Sequence, residues 1–258
     1  MSLASSAAEL AAAVAERELL RLLGLPRGRP LEGELRSRAE GARAAYASHG
    51  RPFAAARRVG LAEVSASTVC LEDGTELRSS ALAEALRASA GHAVIALAVS
   101  AGRDVAAEAS RLWTAERPDE AYFLDRFAAA ATEALLLQAS GALCRAASRD
   151  GETLLPPRSP GCGRFELGDQ QRLMHLLGAA PAGDERLALG PIELLASGAL
   201  DPPHSLLAAI GVTRQARAAT TPEDLCRGCE LDACGFRRAP FSEAGSAAVR
   251  AAAGRDAR

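Results

Sequence analysis

The sequence predicts an α+β protein in which a mixed, mainly antiparallel twisted sheet packs with helices and a helical segment comes first. Three observations predict this class. Apolar residues recur at helical spacing in several segments that glycine and proline separate. Residues 64–70 alternate apolar and polar side chains before an Asp73-Gly74 turn, which indicates a hairpin or meander. The unbroken apolar run of residues 92–100 suits a central strand buried on both faces.

We expect three regions along the chain. Residues 1–50 form a helical segment, residues 51–240 form an α+β domain that includes a C-terminal cysteine cluster, and residues 241–258 form a disordered tail. Charged side chains interrupt the apolar pattern of the first 25 residues, which predicts one amphipathic helix rather than a signal peptide or a membrane span. A second helix is predicted at residues 31–48.

The rest of the chain continues this alternation of helices and strands. Further helices are predicted at residues 80–91, 105–113, 119–147 and 168–178, of which the third is the longest. The apolar runs at residues 187–196 and 206–213 are predicted to be two paired strands with a proline-fixed connection.

Composition excludes several function classes. The chain has 258 residues, 48% of them apolar, and its net charge of -2 gives no basic field for nucleic acid. All 30 basic residues are arginine, which excludes a lysine Schiff base or a lysine general base. Six cysteines in a chain of this length favour a reduced, cytoplasmic location with a metal or redox site over a disulfide framework, and we expect neither nucleic acid nor membrane as a partner.

The segment "PPRSPGCG", residues 156–163, is the first candidate site. Three prolines restrict its backbone, while Gly161 and Gly163 can take positive φ and let a ligand approach. Such a loop is expected to expose backbone amides, and Arg158 adds a planar cation suited to a carboxylate or phosphate. The alternative is a tight surface turn with a solvated arginine.

The cysteine cluster is the second candidate site. Cys226, Cys229 and Cys234 have the spacing C-x2-C-x4-C, and nearby arginines favour thiolates. Three thiolates suit an iron-sulfur cluster or a zinc site that one further ligand completes. Cys162 is a hypothetical fourth ligand, and a cluster of unligated thiols is the alternative.

Three segments carry a resemblance to a known family: "FLDRFAAAATEALL", "RSPGCGRFELGDQQRLMHLL" and "PIELLASGALDPPHSLLAAIGV". In this order they resemble the activation domain of vitamin B12-dependent methionine synthase and its stand-alone relatives. The resemblance is densest over residues 121–212 and implies the fold of that domain.

The resemblance also implies a function. The family's domain binds S-adenosylmethionine and presents its methyl group to cobalamin, which is reduced by a donor such as flavodoxin or ferredoxin. It therefore implies a corrinoid-binding partner and a chain that is not a complete enzyme alone. Arg158 matches the arginine that holds the ligand's carboxylate, and Gly161 matches the loop glycine. The implied ligand-binding residues are Arg158, Ser159, Pro160, Gly161, Cys162, Gly163 and His204.

The sequence departs from the family at two positions. Cys162 stands where the family usually has tyrosine, so the ring surface and hydroxyl are missing, and His204 stands where relatives usually carry lysine. A second hypothesis is therefore an iron-sulfur or zinc protein of the same fold that passes electrons to a corrinoid partner without binding S-adenosylmethionine. A scaffold that lacks both activities is a third.

The remaining candidates are single residues. Asp125 and Glu133 lie about two turns apart on one helix and either flank a groove or are solvated charges. We expect no partner for His49 or His92, and His175 is expected on a packed or half-exposed helix face. We expect small core residues at Cys70 and Cys144, and core aromatic residues, rather than a stacking platform for bases, at Trp113, Tyr46, Tyr122 and the six phenylalanines.

Overall fold

The computed structural model describes residues 5–26, 30–181, 186–216, 222–227, 234 and 237–242. The helices are α1 (Ala7–Ala13), α2 (Glu16–Leu22), α3 (Gly33–His49), α4 (Ser80–Ala88), α5 (Arg103–Thr114), α6 (Pro118–Arg149), α7 (Asp169–Leu176) and α8 (Pro222–Arg227). The strands are β1 (Phe53–Val64), β2 (Thr68–Leu71), β3 (Glu76–Arg78), β4 (Ala93–Ser100), β5 (Thr153–Leu154), β6 (Ala180–Pro181), β7 (Leu187–Leu189), β8 (Ile192–Leu194), β9 (Leu200–Asp201) and β10 (Ser205–Thr213).

Antiparallel strands form two sheets. The larger sheet has the order β3-β2-β1-β4-β10-β5, and the smaller has the order β6-β7-β8-β9. Backbone bonds from Arg51 to Ala101 and from Leu61 to His92 show that β1 and β4 run in opposite directions. All eight residues of β4 are buried. The predicted α+β class and the central buried strand are therefore confirmed.

The Asp73-Gly74 turn joins β2 to β3. Gly74 has φ +86°, and the Thr75 amide donates to the Asp73 carboxylate at 3.1 Å. β1, β2 and β3 pair in sequence order, so the predicted meander is confirmed.

The chain divides into two compact units. The first comprises residues 1–55, 98–139 and 180–206, and the second comprises residues 56–97, 140–179 and 207–258. Strands β1, β4 and β10 and helix α6 contribute residues to both. The predicted division at residues 50 and 240 stays a prediction, and residues 243–258 of the predicted tail lie outside the described residues.

An aromatic and cationic cluster lies in the first unit. The Tyr46 ring is fully buried, 5.6 Å from the ring of Phe127, and the Arg43 guanidinium lies 5.3 Å from the same Phe127 ring. Arg43 also donates to the carbonyls of Ala11 and Val14. The guanidinium thus satisfies carbonyl groups at the end of α1.

The first helix is broken, contrary to the prediction of one continuous helix. α1 ends at Ala13, Val14 and Ala15 have extended backbones, and α2 begins at Glu16. Arg43 donates hydrogen bonds to the Ala11 and Val14 carbonyls, so these two groups have partners although the helix is broken there.

The prediction that the two late apolar runs pair with each other is wrong. The first run folds back on itself as β7 and β8 at Gly190, which has φ +58°, whereas the second run is β10 of the larger sheet. A Cβ at Gly190 would lie 2.7 Å from the Phe53 ring, so both the turn and the packing require glycine there.

Helix α6 is the predicted longest helix. With 32 residues and a mean hydropathy of 1.3, it is long and apolar enough to cross a membrane, and 39% of its apolar window is buried within the protein. Core helices of soluble proteins also meet this criterion, so one such helix is weak evidence. The exclusion of a membrane partner stays a prediction.

Several predicted core residues lie nearer the surface than expected. Trp113 is 55% exposed, and Tyr122 and Phe241 are each 41% exposed, so the core prediction is wrong for all three. It is also wrong for Cys144, which is exposed, while Cys70 is half-buried.

Candidate functional site

The Arg158 loop, residues 155–168, is fixed at its beginning by the edge of the larger sheet. β5 pairs with the end of β10, and the Leu155 amide continues the ladder by donating to the Gly211 carbonyl at 2.8 Å. Arg158 and Ala209 then exchange backbone bonds of 3.0 and 2.8 Å. A Cβ on Gly211 would lie 2.7 Å from Leu155, so glycine allows this close pairing. Arg158 therefore extends from a defined backbone position.

The tip of the loop is a tight, exposed turn. Gly161 and Gly163 have φ of +82° and +58°, as the glycine pattern predicts. The Gly161 amide donates to Phe165 and the Cys162 amide donates to Ser159. The expectation of open amides is therefore wrong at Gly161 and Cys162, whereas the Ser159 and Gly163 amides donate to no acceptor in the part of the chain that the structure describes.

The far side of the loop is anchored on β3 and α4. Phe165 is buried, with 3% of its surface exposed, and forms an isolated bridge to Ser79. The Glu166 amide donates to the Arg78 carbonyl at 3.1 Å. Because both ends of the loop are paired to other elements, the tip is held without being buried.

A charged cluster marks the start of the segment that leads into the loop. The Glu152 carboxylate is buried and accepts bonds from Arg58 at 2.6 and 2.8 Å, and lies 2.8 Å from the His92 ring. The Arg58 hydrogen bond chiefly, and then His92, lower the pKa of Glu152 to about 2 against the opposing effect of burial. The expectation that His92 has no partner is therefore wrong.

His204 is buried rather than open to a ligand. Its Nε2 lies 3.0 Å from the Asp125 carboxylate, and its carbonyl accepts from Thr132 and from the Ala101 amide. The His204 contact is the main cause that lowers the pKa of Asp125. His204 belongs to the first unit and Arg158 to the second, so the two predicted ligand-binding residues share no compact unit.

The two carboxylates predicted as solvated charges or groove residues on α6 are both paired. Asp125 contacts His204 and Arg126, and Glu133 forms an ion pair with Arg21. These partners lie far away in the sequence, apart from Arg126, so helical spacing alone did not reveal them.

Two of the three clustered cysteines are described. The half-buried Cys226 lies in the last turn of α8, and its sulfur accepts the Arg238 amide at 3.3 Å. The Arg237 amide donates to the Cys234 carbonyl at 3.3 Å. Cys229 lies outside the described residues, within which no group of three or more metal-ligating side chains occurs. The metal site, with or without Cys162, stays a prediction.

Comparisons with known proteins support the fold. No profile of a known protein family matches the chain, and no curated protein sequence matches it. Among solved structures, the chain is similar to the crystal structure of the MetH reactivation domain bound to AdoHcy, with a TM-score of 0.59 over 84% of this chain and 79% of that chain. Sequence identity is 13%, so the likeness shows that this chain has the fold of that domain.

The Glu152 cluster predicts how stability depends on pH. Because folding lowers the pKa of Glu152 from 4.5 to about 2, its stabilising contribution is present above pH 4.5 and is lost as the pH falls towards 2. In urea denaturation, the free energy of unfolding should fall more steeply over this range in the unmodified protein than in Glu152→Gln.

The matched control for this prediction is Glu40→Gln, which changes an exposed carboxylate on α3. Its pH profile should follow that of the unmodified protein. Equal slopes for the unmodified protein and Glu152→Gln would show that the cluster does not contribute in this way.

Proposed function

We propose that this protein is an accessory protein of cobalamin-dependent methyl transfer that binds AdoHcy or S-adenosylmethionine at residues 158–163. The observation that carries the proposal is the likeness to a reactivation domain that was crystallised with AdoHcy. The sequence resemblance adds that Arg158 stands at the position of the family's carboxylate-binding arginine.

The geometry of the loop supports this assignment. A guanidinium has a planar set of donors that matches a carboxylate. The backbone pairing of Arg158 with Ala209 fixes the position from which the Arg158 side chain extends. A binding segment that is already ordered loses less conformational entropy when its ligand arrives. The Ser159 and Gly163 amides offer further donors on the same turn.

The proposed role is to orient a ligand rather than to supply an acid or a base. The corrinoid of a partner protein, reduced by an electron from a donor such as flavodoxin or ferredoxin, would take the methyl group of S-adenosylmethionine, and AdoHcy would be the product that remains. The residues of this chain would hold the ligand's carboxylate and fix the direction of its sulfur substituents. On this proposal the chain is not a complete enzyme alone.

The first test concerns Arg158. Arg158→Ala should weaken AdoHcy binding roughly tenfold or more in calorimetry, because a charge-assisted hydrogen bond to the ligand is lost. Arg164→Ala is the matched control on the same loop, since Arg164 pairs with Glu84 at 2.7 Å. Equal affinity in both variants, or no AdoHcy binding by the unmodified protein, would refute the proposed site.

The second test concerns the position at which the family usually has tyrosine. Cys162 is exposed at the loop tip, so a larger side chain fits there without entering the core. Cys162→Tyr should bind AdoHcy roughly two- to tenfold more tightly, because an aromatic ring adds a stacking surface. Cys162→Leu controls for bulk without a ring, and an equal gain in that variant would argue against aromatic contact with the ligand.

A second candidate function is favoured by the Cys226 environment. The Cys226 sulfur already accepts a backbone amide, that of Arg238, and cysteine sulfur is a ligand of zinc and of iron-sulfur clusters. The alternative proposal is therefore a metal or cluster bound by Cys226, Cys229 and Cys234, with Cys162 as a possible fourth ligand, in a protein that transfers electrons to the corrinoid partner.

Elemental analysis of protein purified without oxygen tests this alternative. We expect stoichiometric metal in the unmodified protein and in Cys144→Ser, whose thiol is exposed elsewhere, and a large loss in Cys229→Ser. Iron with sulfide supports electron transfer, and zinc supports a structural site. Metal-free protein contradicts both, and an unchanged metal content in Cys162→Ser excludes Cys162 as a ligand.

A further inference from the structure

A polar cleft lies beside the β2–β3 turn, apart from the residues assigned above. Its volume is about 280 Å³, and its lining consists of Gly74, Thr75, Glu76, Arg172 and His175. Cavities that hold drug-sized ligands are usually about 300–1,000 Å³, so this cleft suits a small metabolite. The first three residues come from the turn and β3, and the last two come from α7.

Both walls of the cleft are fixed by buried or paired groups. The fully buried Asp169 carboxylate accepts the Arg78 amide with one oxygen and the Arg172 guanidinium with the other. Arg57 donates to the Leu176 carbonyl at 2.9 Å, which ties the end of α7 to β1. Asp169 therefore positions both the helix and the guanidinium that lines the cleft.

The cleft presents polar groups that the described residues leave unpaired. No side-chain hydrogen bond or ion pair within the described residues engages Thr75, Glu76 or His175. Arg172 uses Nη1 on Asp169, so its Nε and Nη2 donors remain for another acceptor. The residues that line this open cleft thus carry a carboxylate, a hydroxyl, an imidazole and one guanidinium edge that have no partner among the described residues.

The signs of these charges select the class of ligand. Asp169 balances the charge of Arg172, so Glu76 carries the unbalanced charge and favours a cationic group. Arg172 and His175 supply donors that favour a carboxylate. We propose that this cleft binds a small zwitterion, an α-amino acid, with its ammonium group on Glu76 and its carboxylate on Arg172 and His175.

This inference does not rest on the proposed AdoHcy site, because the two sets of residues are separate. Arg158→Ala should leave amino-acid binding unchanged, and Glu76→Gln should leave AdoHcy binding unchanged. A failure of one proposal is thus distinguishable from a failure of the other.

A titration of the full chain with three matched probes tests the ligand class. L-serine carries both charges, L-serinamide lacks the carboxylate, and L-glycerate has a hydroxyl in place of the ammonium group. By NMR or calorimetry, L-serine should bind roughly tenfold or more tightly than either analogue, because L-glycerate lacks the cation that pairs with Glu76 and L-serinamide lacks the carboxylate that accepts from Arg172 and His175. Equal binding of all three, or no binding of L-serine, would overturn the proposal.

Two variants test the location of binding. Glu76→Gln and His175→Gln should each weaken L-serine binding roughly tenfold, and both side chains are exposed, so neither change disturbs the core. Glu63→Gln, which changes an exposed carboxylate on β1, is the control and should bind normally. Unchanged L-serine binding in both cleft variants would overturn the assignment to this cleft.

Discussion

Antiparallel pairing between β10 and residues 153–158 is the constraint on which the candidate AdoHcy site depends. The ladder runs from Thr153 and Thr213 through Leu155 and Gly211 to the Arg158–Ala209 bridge. Because β10 is itself a buried strand next to β4, it gives the edge segment a rigid template. Because the loop begins on this template, the backbone of Arg158 is held in one position while the tip of the loop stays exposed.

Much of the fold could be predicted from local patterns, because periodicity reports which face of an element is buried. The period of two before the Asp73-Gly74 turn predicted the meander, and the apolar run at β4 predicted the central strand. The break at Ala15 could not be predicted in this way. The carbonyls of Ala11 and Val14 at this break accept hydrogen bonds from Arg43 of α3, a contact between residues distant in the sequence.

In the candidate site, too, some features could be predicted from local sequence patterns and others could not. Prolines and glycines predicted a tight loop around Arg158, since these residues act on their own backbone. The pairs His204–Asp125 and His92–Glu152 join residues 79 and 60 positions apart, and no local signal joins them. The hydrogen bonds that the Gly161 and Cys162 amides make within the loop also could not be predicted. They depend on the turn that positive φ at Gly161 and Gly163 allows.

An amide NMR titration of the isotope-labelled protein with AdoHcy tests the Arg158 loop as a ligand site most directly. If the Arg158 loop binds AdoHcy, the largest chemical-shift changes should fall on Ser159, Gly163 and their neighbours in that loop, with saturation at a defined ligand concentration. Changes confined to other parts of the chain, or no change at saturating AdoHcy, would contradict binding at this loop.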